Sequence, residues 1–136
     1  LDQRHLDAAQ LAAMLAAAKT ASDRFAQEEG VEVAWQRIWP IHPILFDPAL
    51  LDLADAAVQE TSGTSYRLPS GPLHDAAEVA RAGVPTVMLF VQSLRGLSHA
   101  KEEDTREEHL ALSVEALDRL ASKTMAWIRQ QHQVSM

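Results

Sequence analysis

The chain has 136 residues, 47% apolar and 23% charged, with a net charge of -7 and no cysteine. That composition suits one soluble globular domain, which would bury roughly 65 to 70% of its unfolded surface on closing. The acidic balance and the lack of any basic stripe argue against nucleic acid as a partner, and the missing thiols exclude disulfides and thiolate chemistry, so a metal would need His, Asp or Glu ligands.

From Leu6 to Glu29 the apolar residues Leu11, Met14, Leu15, Ala18 and Phe25 fall on one helical face, and Gly30 stops the helix. Val31, Val33 and Trp35 then alternate with polar or small residues, the period of a half-buried strand. The prolines of Trp39-Pro40-Ile41-His42-Pro43 interrupt regular pairing and mark a domain boundary. Asp47-Pro48 starts a second helix, carried by Leu50, Leu51, Ala54, Ala57 and Val58 towards Gly63.

Tyr66 to Leu68 reads as a short strand entering the turn Pro69-Ser70-Gly71-Pro72, with a third helix from near Leu73 to Gly83. Val84 to Val91 is a continuous apolar run, the pattern of a strand covered on both faces. It is about half the length needed to span a bilayer as a helix, so no membrane partner is expected. After the loop Gln92 to Asp104, Thr105 and Glu108 form a capping box, and a long helix follows whose buried face is Leu110, Val114, Leu117, Ala121 and Ile128. This alternating order predicts an α/β layer architecture.

Two places could carry chemistry. His74 and Asp75 open a helix after a strand and a tight turn, where functional groups are often placed, although Asp75 as a simple cap and His74 as a turn residue fit equally. His99 lies in the loop after the most apolar strand, at a carboxyl end where α/β sheets present ligands, and is a candidate metal ligand; Glu102, Glu103 and Asp104 could instead serve the helix that follows. Two histidines do not complete a catalytic zinc site. No HExxH, P-loop, GxGxxG or GxSxG is present. His5, His42, His109 and His132, with the three tryptophans, read as surface or packing residues.

Taken in order, Leu68-Pro69-Ser70-Gly71-x-x-His74-Asp75-Ala76, Val84-Pro85-Thr86, and Gly96-Leu97-Ser98-His99 with Glu103 and Thr105 resemble the C-terminal signature of the N-carbamoyl-amino-acid hydrolases. That group includes β-ureidopropionase and allantoate amidohydrolase, within the zinc aminoacylase and aminopeptidase superfamily. Leu1-Asp2-Gln3-Arg4-His5 resembles the Asp-x-Arg strand end of the family's lid domain.

The resemblance implies a mixed-sheet α/β metallohydrolase. Residues 1–41 would end a smaller α+β lid and dimerisation domain, and residues 42–136 would form the C-terminal part of the catalytic domain. It implies His99 as a ligand of a centre holding two divalent ions (Zn, Mn, Ni or Co), and His74 as the catalytic group that contacts substrate and steadies an oxyanion. Arg4 would bind the substrate carboxylate, with Gly71 lending a backbone group. The implied activity is hydrolysis of the linear C–N bond of N-carbamoyl or related ureido acids by metal-activated water. The implied setting is a cytoplasmic homodimer. Leu1 is not an initiator methionine, so a fragment lacking the enzyme's N-terminal half, and inactive alone, is expected. The alternatives are a non-catalytic interaction or dimerisation module, and an aminoacylase or dipeptidase of the same superfamily. Pro72-Leu73 and Ala100 replace the family's usual Ala-Gly pair and asparagine, which points to a retuned substrate pocket.

Overall fold

A computed structural model describes residues 1–134, with Val134 known by its backbone alone. Four α-helices run in order: α1 (Ala8–Glu29), α2 (Pro48–Ser62), α3 (Asp75–Arg81) and α4 (Glu107–Val134), with a short 3-10 turn at Leu94–Gly96 between the last two. The chain divides into two compact units, Leu1–Leu45 with Pro69–Pro72, and Phe46–Leu68 with Leu73–Met136.

In the first unit, Asp7 caps α1 by accepting from the backbone N–H groups of Ala9 and Gln10, at 2.7 and 3.1 Å. Gly30 ends the helix in the left-handed region at φ 65, a conformation that costs a side-chain-bearing residue far more than glycine. No residue of α1 is fully buried. The segment after it is tied back by Trp35, whose indole N–H donates to Ser22 Oγ at 3.2 Å.

In the second unit, Asp47 Oδ1 accepts from the Leu50 N–H at 3.0 Å and Pro48 occupies the first turn, where its missing donor is not needed. Helix α2 packs on α4. Their shared core is Ala54, Ala57 and Leu120, bordered by the half-buried Leu53, Val87 and Leu89. Alanines at the crossing let the backbones approach closely, and burying Leu120 contributes roughly 2 kcal/mol. At the rim Lys123 Nζ lies 2.7 Å from Glu60, and Arg119 lies 3.6 Å from the same carboxylate.

Four expectations change. The predicted strands near residues 31–35, 66–68 and 84–91 are not formed among the described residues: the Thr86 carbonyl oxygen accepts from the Asp47 N–H at 3.1 Å, but a single bond of this kind does not make a ladder. The run expected to be covered on both faces leaves Val84, Phe90 and Val91 exposed. On α4 the buried positions are Ala116 and Leu120, with Ser113 and Trp127 half-buried, whereas Leu110, Val114, Leu117 and Ile128 are exposed. The alanine face of α2 matches the small-residue side of α4, and the larger apolar stripe finds no surface to cover it. The capping box is also absent: α4 begins at Glu107, and Glu108 pairs with Arg106 at 3.2 Å instead.

Candidate functional site

Arg4 lies on a segment that an alternating backbone would turn so that Asp2 and Arg4 share a side. Its guanidinium donates from Nη2 to Asp2 Oδ2 at 2.6 Å and from Nε to both carboxylate oxygens at 3.2 Å. The hydrogen bond to Arg4 holds the Asp2 carboxyl below its ordinary range, and Asp2 in turn raises the already high pKa of Arg4. Both side chains are exposed.

The opposite nitrogen of the same guanidinium meets the Ser-Gly turn. A Cβ built on Gly71 would stand 3.0 Å from Arg4 Nη1, closer than side-chain carbons ordinarily come. A side chain at this position would make the exposed Arg4 guanidinium shift by a few tenths of an ångström. Ser70 Oγ donates to the Pro72 carbonyl oxygen at 2.8 Å and braces the turn. Two of the residues singled out in the sequence, Arg4 and Gly71, are thus brought together within the first unit.

His74 and His99 belong to the second unit. His74 is the residue before the first turn of α3, in extended backbone at φ -116 and ψ 157, and its side chain makes no capping hydrogen bond. The half-buried ring stands edge-on to Phe90, with centroids 6.4 Å apart and planes at 62°. Edge-on aromatic contacts of this kind are favoured by the ring quadrupoles. Phe90 was not among the residues marked by sequence; its place in the apolar run gave the only signal.

The loop that carries His99 is closed by the Leu94 N–H donating to the Asp104 carbonyl oxygen at 2.7 Å. Within it Arg95 and His99 hold positive φ, 59 and 56, which is uncommon for residues other than glycine. The His99 N–H donates to Glu103 Oε2 at 2.9 Å, so this carboxylate stabilises the strained backbone. The imidazole is exposed, and its ring nitrogens have no partner among the described residues. Among the described residues no three His, Asp or Glu side chains come close enough to hold a metal ion. One imidazole beside a backbone-engaged carboxylate does not make a two-ion centre, so this chain's residues do not fit such a centre by themselves.

A second polar cluster joins α2 to the segment after it. Arg67 donates from Nε to Asp55 at 2.5 Å and from Nη2 to Asp52 at 2.6 Å, and Ser65 Oγ also donates to Asp55. The Ser65 hydroxyl, then Arg67, hold the Asp55 carboxyl below its ordinary range. This clamp fixes where the chain leaves α2. No helix among the described residues is long and apolar enough to cross a membrane.

Comparison with known proteins gives the remaining findings. The family described as Peptidase family M20/M25/M40 matches residues 9–123. An N-carbamoyl-L-amino acid amidohydrolase of Geobacillus stearothermophilus is 29% identical over 117 residues, covering 86% of this chain and 28% of that protein. An allantoate amidohydrolase of Bacillus subtilis is 31% identical over 96 residues, covering 71% of this chain and 23% of that protein. The chain spans about a quarter of the length of these curated relatives. No solved structure is significantly similar.

Proposed function

Because the chain belongs to peptidase family M20/M25/M40, we propose that it is part of an amidohydrolase that cleaves the linear C–N bond of N-carbamoyl amino acids or related ureido acids. The observation that supports this reading is the Arg4 guanidinium set against Gly71, two residues far apart in sequence that the motif resemblance assigns to substrate binding. A guanidinium fork matches a carboxylate in two parallel hydrogen bonds, and a glycine backbone lets the ligand approach. The names of the relatives support the substrate class.

In this reading Arg4 binds the substrate carboxylate and Gly71 lends backbone beside it. His74, held edge-on by Phe90, hydrogen-bonds the carbonyl oxygen as negative charge develops on it. His99 would be one imidazole donor to a divalent-metal centre whose other ligands would come from outside the described residues, and the chemistry such a centre would supply is activation of water. Leu1–Ile41 would end a lid and dimerisation domain, and residues 42–136 would join the catalytic domain. Val84–Val91 and the exposed stripe of α4 would be completed by further strands of a mixed sheet on a longer polypeptide. A cytoplasmic homodimer is the assembly this reading expects.

The test is hydrolysis by the full polypeptide that carries this chain, on an N-carbamoyl amino acid, an N-acyl amino acid and a dipeptide. The ureido acid is expected to be preferred, and Arg4→Lys to raise its KM roughly tenfold by losing the planar fork. His99→Ala is expected to remove bound metal and turnover together. Preference for the dipeptide, or full activity and metal content in His99→Ala, would refute the reading.

A further inference from the structure

Arginine has two edges on which a carboxylate can seat in bidentate fashion, the side formed by Nε and Nη2 and the end formed by Nη1 and Nη2. In this chain the side edge is filled by Asp2, through three contacts of 2.6 to 3.2 Å. Nη1, on the end edge, makes no hydrogen bond among the described residues and is the nitrogen that lies nearest Gly71. A free arginine side chain has many rotamers and loses much of that freedom on binding.

We infer that Asp2 is a positioning residue for ligand recognition: it occupies the side edge of Arg4 so that the end edge is presented beside Gly71 to a ligand carboxylate. This rests on the assignment of Arg4 as the substrate-carboxylate group, and adds which edge of it is used and what selects that edge. The pair is exposed, so its contribution to folding is small. Its effect belongs to binding, where an arginine already oriented pays less entropy to engage a second anion. A ligand seated on the side edge would have to displace Asp2, whereas one on the end edge leaves the ion pair intact.

The experiment compares Asp2→Ala, Asp2→Glu and Arg4→Ala in the full polypeptide, measuring KM and kcat for an N-carbamoyl amino acid and for its carboxamide analogue. Asp2→Ala is expected to raise KM for the carboxylate roughly threefold to tenfold, with kcat within about twofold and the carboxamide unaffected. Asp2→Glu, which keeps the charge on a longer arm, is expected to recover part of the loss. If Arg4→Ala raises KM selectively for the carboxylate while Asp2→Ala changes nothing, or lowers KM by freeing the side edge, this inference is overturned and the Arg4 assignment survives. If Asp2→Ala changes both substrates alike, its role is only structural and the inference fails. If Arg4→Ala does not distinguish the two substrates, the assignment itself fails and the inference with it.

Discussion

Leu117 and Leu120 stand one turn apart on α4 in opposite surroundings, Leu120 being 6% exposed and Leu117 58%. Truncating leucine to alanine removes three carbons, worth about 0.8 kcal/mol each when fully buried. For Leu120 that is about 2.4 kcal/mol, rising to about 2.5 to 4 kcal/mol with the cavity left between Ala54, Ala57 and Leu53. For Leu117 less than half of the transfer term is at stake and no enclosed cavity forms, so about 1 kcal/mol is expected. Urea unfolding of the 136-residue chain followed by circular dichroism at 222 nm measures both. Equal costs for the two variants, or a larger cost for Leu117→Ala, would mean that α4 buries the stripe expected from its periodicity and that its packing on the alanine face of α2 is wrong. In the longer polypeptide that the proposed reading expects, the same pair tests the account of the stripe: if further strands cover it, Leu117→Ala should rise towards the Leu120→Ala value.

Two smaller perturbations test the local chemistry. Asp47→Ala removes the side-chain acceptor of the Leu50 N–H and should cost about 1 kcal/mol in the same urea titration, with Asp47→Asn recovering most of it. Asp55 is held below its ordinary pKa by Ser65 and then Arg67, so its folded value lies under its unfolded one. The stability it contributes is present above the unfolded carboxylate pKa and is lost as pH falls through the folded value. Asp55→Asn should therefore flatten the acid limb of stability plotted against pH, and an unchanged acid limb would show that the clamp contributes nothing.

The legible parts of the fold were those governed by neighbours a few residues away. Gly30, and Asp47-Pro48 with Gly63, were read as helix limits from the sequence and are found as such, whereas the Asp7 cap of α1 emerges from the structure. The strands failed for the opposite reason. A pattern such as Val84–Val91 states that a segment would suit a sheet, but a ladder needs a second segment bonded along its length, and the single bond from the Asp47 N–H to the Thr86 carbonyl oxygen does not supply one. On α4 periodicity marked the wider apolar stripe, while the face that packs is chosen by the alanines of α2, a tertiary fact that the sequence of α4 does not contain. At the candidate site, Arg4 and Gly71 were named by motif and found close together, Asp2 was part of the same motif but gains its contact with Arg4 from side-chain geometry, and Phe90 is marked by geometry alone.

The candidate groups also differ in what determines their orientation, and this bears on how a site made from them would assemble. Arg4 is oriented by Asp2 two residues away, and the backbone of His99 by Glu103 four residues away, so both geometries are set within short segments. The imidazole of His99 is different: its backbone is fixed but its ring has no partner among the described residues. Metal-binding histidines are normally oriented by a hydrogen bond to the nitrogen that does not bind the metal. If His99 is a ligand, its ring must therefore be oriented by groups beyond those described here. On the proposed reading, metal affinity should consequently depend on groups outside the described residues far more than carboxylate binding at Arg4 would.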